Sequence, residues 1–178
     1  MMPFADPLIA GLELREDFVS EADERRLIGR MDELGLSPFR FQGWTGKRLT
    51  RSFGWRYDFD DASFTETEPI PDWLRPVREK AAAFAGLQPD EFAHALVIRY
   101  DPGASRCRRR TGNGFQRAKV ELGPRSAYLL SGEVRSDWEH SIAAHEALRF
   151  SITFRSLSER GLRSRSAPRP ATSPRSAR

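Results

Sequence analysis

The chain has 178 residues, 39% of them hydrophobic, which is enough for one domain with a packed core and too few for two of ordinary size. No apolar run reaches the length of about eighteen residues that a membrane span requires, and the single cysteine, Cys107, excludes an internal disulfide and a cysteine-based metal site. The net charge of +4 resides at the end of the chain: from Leu157 onward there are six Arg and one Glu, whereas the remainder has 23 basic against 24 acidic residues.

In chain order, residues 7–35 begin with a short apolar stretch and continue into an amphipathic pattern. Ser20 is placed as a helix N-cap with Glu24 as its capping partner, and Leu27, Ile28, Met31 and Leu34 recur at helical spacing. This predicts a helix packed outside a sheet. Between 38 and 60, Phe39, Phe41, Trp44, Leu49, Phe53, Trp55 and Tyr57 partly alternate among Gly and Arg, which predicts strands and connecting loops. Pro69-Ile70-Pro71-Asp72 then breaks the chain. A second helix is predicted from Trp73 to Ala85, with Pro76 in its first turn and Gly86 as its stop.

AHALVIRY at 93–100 predicts an apolar strand, ended by the turn triplet Asp101-Pro102-Gly103. Arg108 to Val120 contains Thr111-Gly112-Asn113-Gly114 and predicts a hairpin. Further strands are predicted at Ala127 to Leu130 and Leu148 to Leu157. Beyond that, Arg, Ser, Pro and Ala predict a disordered tail over 158–178. Two helices followed by a run of short strands imply an α+β domain, built on a sandwich or a jelly-roll-like barrel. The first residues, MMPFADPLIAGLELRED, have no positive leader followed by a continuous apolar core, so a cytoplasmic location is expected.

The strongest chemical signal is Arg149-Phe150-Ser151-Ile152-Thr153-Phe154-Arg155, in which polar and apolar residues alternate without exception. All four polar side chains therefore share one face of a strand. Two readings of that face are open: an ordinary solvated face of an edge strand, or a dicarboxylate site, since guanidinium groups pair with carboxylates in bidentate geometry.

Just upstream, Tyr128-Leu129-Leu130-Ser131-Gly132 is followed by Arg135, Trp138, His140 and Ile142. This order, with the Arg149 to Arg155 strand after it, resembles the C-terminal signature of AlkB-like dioxygenases. Arg51-Ser52-Phe53-Gly54-Trp55-Arg56-Tyr57-Asp58, Ile70-Pro71-Asp72-Trp73-Leu74 and Ile98-Arg99-Tyr100-Asp101-Pro102-Gly103 agree with it, so the resemblance spans 7–157 and leaves out the tail.

The resemblance implies a double-stranded β-helix (jelly-roll) core with N-terminal helices outside it. It also implies Fe(II) and 2-oxoglutarate as cofactors and oxidative dealkylation of N-alkylated bases in DNA or RNA, a DNA-repair activity. In that chemistry iron activates oxygen, 2-oxoglutarate is split to succinate and carbon dioxide, and the hydroxylated alkyl group leaves as an aldehyde. By motif position His140 is the distal iron ligand, and Tyr100, Arg149 and Arg155 anchor 2-oxoglutarate. The target base must leave its stack, which calls for aromatic and basic residues at the pocket mouth. Candidates are Arg51, Trp55, Tyr57 and the hairpin residues Arg108, Arg109 and Arg110, each of which is equally well read as a core aromatic or a solvated charge. A monomer acting on alkylated DNA or RNA, without a membrane or protein partner, is expected.

The chain departs from the family pattern in one respect that bears on catalysis. Relatives carry a His-x-Asp shortly after the Tyr-x-Pro-Gly turn, whereas here Ala104-Ser105 runs directly into Arg106-Cys107-Arg108-Arg109-Arg110. The histidines are His94, His140 and His145, and none has Asp or Glu two positions later. His94 and His145 read as structural residues. A lone imidazole should hold iron weakly, and losing the segment removes a strand from the barrel. Ile98 stands where relatives often place Asn. Three readings follow: a dioxygenase with impaired activity, a non-catalytic nucleic-acid-binding module, or the product of a damaged gene.

Overall fold

The computed structural model describes residues 10–41, 44–57, 64–102, 120–136, 138 and 146–157. Within them the chain is a mixed α+β structure with two antiparallel sheets and no closed barrel. The predicted hairpin and the tail after Leu157 lie outside the described residues.

The lead-in to the first helix is itself a strand, β1 (Leu12–Arg15). It pairs with β6 (Ala127–Leu130) to form a two-stranded sheet, Leu12 opposite Leu130 and Leu14 opposite Tyr128. Such a pairing spans more than a hundred residues of chain and has no local sequence signal. Helix α1 (Glu21–Glu33) follows, and Ser20 caps it as expected. The capping partner is Asp23, not Glu24: the Asp23 N–H donates to Ser20 Oγ at 3.1 Å, and Ser20 Oγ donates to the Asp23 carboxylate at 2.9 Å. The residue three after the cap is the one whose N–H points back at it. The Ser20 hydrogen bond is also the main reason the Asp23 carboxyl sits below its ordinary range.

Three strands separate the helices, two of them where alternation at 38–60 predicted strands, so the helices do not both precede the sheet. They are β2 (Ser37–Phe41), β3 (Trp44–Tyr57) and β4 (Phe64–Glu66). The second helix begins as a 3-10 turn at Asp72–Leu74 and becomes α2 at Arg75–Ala85. Gly86 ends it at φ 66°, a left-handed cap that glycine adopts without a Cβ penalty.

The larger sheet runs β2-β3-β5-β7, with β4 on β3; β5 is Phe92–Tyr100 and β7 is Arg149–Ser156. Strand β5 lies between β3 and β7 and buries residues on both faces, which accounts for its near-continuous apolar sequence. On one side Phe53, Ala95, Val97, Phe150, Ile152 and Phe154 meet Leu27 and Met31 of α1 and Leu74 of the 3-10 turn, forming the main core. Both helices thus cover one face of the sheet. Gly54 lets β3 turn toward β4: at φ 79° it bonds to Thr67 and Glu68, and its Cα lies so near the Ala93 carbonyl that a Cβ would overlap it. A short helix, α3 (Gly132–Ser136), follows β6 and buries Val134; the sequence did not announce it. No helix among the described residues is long and apolar enough to cross a membrane.

A candidate anion-binding site on the far face of the sheet

Because Phe150, Ile152 and Phe154 turn to the helix-side core, Arg149, Ser151, Thr153 and Arg155 occupy the other face of β7. Residues paired across antiparallel strands share a face, so that side also holds Tyr100 opposite Arg149, Ile98 opposite Ser151, Leu96 opposite Thr153 and His94 opposite Arg155. Tyr100 and Ile98 are buried there with Leu96 against them. The two expected arginines and Tyr100 therefore do come to one face, with the Arg149 guanidinium carbon 5.9 Å from the Tyr100 ring centre.

Register adds a residue that sequence reasoning missed. Leu49 of β3 pairs with Arg99, so Arg48, the next position, falls opposite Tyr100 and on its side of the sheet. The Arg48 guanidinium carbon lies 3.9 Å from the ring centre of Phe39. Phe39, Arg48, Tyr100 and Arg149 form a row in which aromatic and guanidinium groups alternate across β2, β3, β5 and β7.

Arg149 and Arg155 are six positions apart, about 20 Å along an extended strand at ~3.3 Å per residue. A short dicarboxylate can reach both only if the long side chains lean toward each other. The hydroxyl of Tyr128 on β6 feels the charge of both. Desolvation raises the Tyr128 pKa, Arg149 lowers it, Tyr100 raises it and Arg155 lowers it. At Arg155, desolvation and then the cation of Arg135 on α3 push the pKa down, Tyr128 opposes, and Arg48 adds to the lowering. The guanidinium remains charged at neutral pH.

His94 is 8% exposed, and its Nε2 has no hydrogen-bond partner among the described residues. Burial, followed by the nearby Arg155 charge, pushes its pKa from 6.5 to about 4. At neutral pH it is an uncharged, buried imidazole.

Arg51 does not join this face. Arg51 pairs with Val97 in register and lies on the helix side, over Phe53 at 5.7 Å, donating two 2.8 Å hydrogen bonds to the Glu68 carboxylate. Trp55 and Tyr57 pair with Glu66 and Phe64 of β4, beyond the Gly54 turn. His140, Arg108, Arg109 and Arg110 lie outside the described residues.

The facial triad of the related sequences needs a His-x-Asp and a distant His. The sequence has three histidines without a His-x-Asp or His-x-Glu, and among the described residues no three His, Cys, Asp or Glu side chains are grouped to hold a metal ion.

The geometry thus defines a cationic site lined by tyrosine on one side of an antiparallel sheet, suited to a carboxylate or another oxyanion. No protein-family model matches the chain, and no curated protein matches it.

Proposed function

We propose that the chain is an AlkB-like 2-oxoglutarate- and Fe(II)-dependent dioxygenase domain, of the type that dealkylates N-alkylated bases in DNA or RNA. In this reading it keeps the 2-oxoglutarate-binding face and has lost two of its three iron ligands, so that its dioxygenase activity is impaired. The fold is a jelly roll lacking one strand. The observation that carries the reading is the meeting of Tyr100, Arg149 and Arg155 on one face, the three residues to which the sequence resemblance gives the same ligand. In their part of the chemistry, the guanidinium groups take the two carboxylates in bidentate pairs, and the Tyr100 hydroxyl donates to one of them. Ile98 on the same face offers no hydrogen bond to the ligand, so affinity rests on the arginines.

The test is calorimetric titration of the folded chain with 2-oxoglutarate, followed by measurement of Fe(II)-dependent succinate formation with His140→Ala as control. The reading expects binding of 2-oxoglutarate without stoichiometric iron uptake or turnover. Turnover abolished by His140→Ala would show that other residues replace the missing pair. Failure to bind 2-oxoglutarate would remove the dicarboxylate reading altogether.

A second reading, a non-catalytic nucleic-acid-binding module, is favoured by the guanidinium groups of Arg48, Arg149 and Arg155 on this face and by the Arg-rich end of the chain. Salt-dependent DNA binding that weakens when residues after Leu157 are removed would support it.

A further inference from the structure

Arg48 stands on the far face of the sheet at the level of Tyr100, because Leu49 pairs with Arg99 and the antiparallel register puts the residue before the first opposite the residue after the second. Arg149 flanks Tyr100 from the other side, as its cross-strand partner on β7. The buried Tyr100 thus lies between two guanidinium-bearing positions. Neighbouring strands are about 4.8 Å apart, so Arg48 and Arg149 are separated by about 10 Å of sheet. That is half of the roughly 20 Å between Arg149 and Arg155 along β7. Two long side chains rising on either side of one ring can close on a single group above it.

The backbone and the packing around Arg48 agree with this role. Pro38 pairs with Leu49 and Arg40 with Thr45, so Gly46, Lys47 and Arg48 of β3 stand against the single residue Phe39 of β2. Irregularities of this kind re-aim a side chain and are over-represented beside active sites. Here the guanidinium carbon of Arg48 comes to lie over the Phe39 ring, 3.9 Å from its centre. A stacked guanidinium touches the ring with its flat side and keeps its N–H donors in its own plane, pointing away from the ring toward an acceptor. The Arg48 charge is also felt at Arg155, on the other side of β5.

We propose that Arg48 is a third arginine of the dicarboxylate site, sharing with Arg149 the carboxylate that the Tyr100 hydroxyl holds, while Arg155 takes the other. This role rests on the dicarboxylate reading of Tyr100, Arg149 and Arg155. A carboxylate has about four lone-pair positions, enough for one bidentate fork, one bond from a second guanidinium and the hydroxyl. One end of the ligand then meets two guanidinium groups and a hydroxyl and the other end meets one guanidinium, so the two ends of the ligand are distinguished.

The experiment is calorimetric titration of the full chain with 2-oxoglutarate and with 2-oxopentanoate, which has the same carbon chain and 2-oxo acid end but one carboxylate. Circular dichroism first confirms that each variant keeps the wild-type fold, and Arg48→Gln replaces Arg48→Ala if the latter does not fold. Arg48→Ala is expected to weaken 2-oxoglutarate about tenfold. Arg51→Ala, which removes a cation from the opposite face of the same strand, leaves the affinity unchanged. Arg48→Lys keeps the charge, loses the fork and recovers part of the loss. With 2-oxopentanoate, Arg48→Ala and Arg149→Ala act alike, both weakening it or both leaving it unchanged, and Arg155→Ala does the opposite.

Affinity for 2-oxoglutarate that is indifferent to Arg48 overturns the role and leaves the dicarboxylate reading standing. Full restoration by Arg48→Lys does the same, since it shows a field effect where a forked contact is proposed. Sensitivity to Arg48 that follows Arg155 with 2-oxopentanoate overturns the shared carboxylate. A folded wild type that binds neither ligand removes the dicarboxylate reading, and the role of Arg48 with it.

Discussion

Acid should destabilise this protein through His94 before its carboxylates begin to protonate. The imidazole is 8% exposed, and its pKa falls from 6.5 to about 4, first because burial disfavours the cation and second because Arg155 lies beside it. In the unfolded chain the same group protonates near 6.5, so between the two values the unfolded state binds more protons and stability falls as the pH falls. The contribution is fully present above pH 6.5 and is lost as the pH approaches about 4. At ~1.4 kcal/mol per pH unit for one proton, the gap amounts to about 3 kcal/mol, a large part of a small domain's stability. Urea unfolding followed by Trp fluorescence in steps from about pH 7 to about pH 4.5, for wild type and His94→Gln, isolates the term. The wild type should lose most of the 3 kcal/mol across this range, and the variant should show a much flatter dependence. An equal decline in both proteins, or an imidazole resonance titrating near 6.5 in the folded state, would refute the reasoning. Because burial is the larger cause, Arg155→Met should raise the His94 pKa only part of the way.

Other outcomes are expected from the same structure. Arg149→Ala and Arg155→Ala should each weaken 2-oxoglutarate binding about tenfold or more by calorimetry, since a charge-assisted bond contributes roughly 1.5–3 kcal/mol. Arg51→Ala should leave 2-oxoglutarate affinity unchanged and cost under ~1 kcal/mol in denaturant unfolding, because it breaks a largely exposed pair with Glu68 on the helix side. Gly54→Ala should cost about 2–4 kcal/mol by the same measurement, as the added methyl meets the Ala93 carbonyl and the positive φ is strained. Leu74→Ala removes a fully buried side chain between the helices and the sheet and should cost about 2–5 kcal/mol.

Local features were legible because their causes are local. Ser20, the spacing of Leu27 and Met31, Pro76 and Gly86 set both helices through capping and backbone conformation, and alternation set the faces of β7. The assignment of Glu24 as capping partner missed by one position, a difference too fine for spacing alone. Strand β1 was not read because its partner, β6, lies more than a hundred residues away and four residues carry little periodicity. Arg48 was passed over for a related reason: nothing in Lys47-Arg48-Leu49 distinguishes it from a solvated cation until Leu49 is known to pair with Arg99.

The sequence by itself determined the mixed α+β class, the helix ends, the two-faced final strand and the absence of a His-x-Asp pair. Each of these follows from residue identity and short-range geometry. The tertiary structure alone decided which strands are neighbours and in what register, and hence that Arg48, Tyr100 and Arg149 stand in one row while Arg51, three residues from Arg48, faces the helices. Side chains alternate with a period of two along a strand, so register across the sheet determines which cations meet a ligand and which meet a carboxylate.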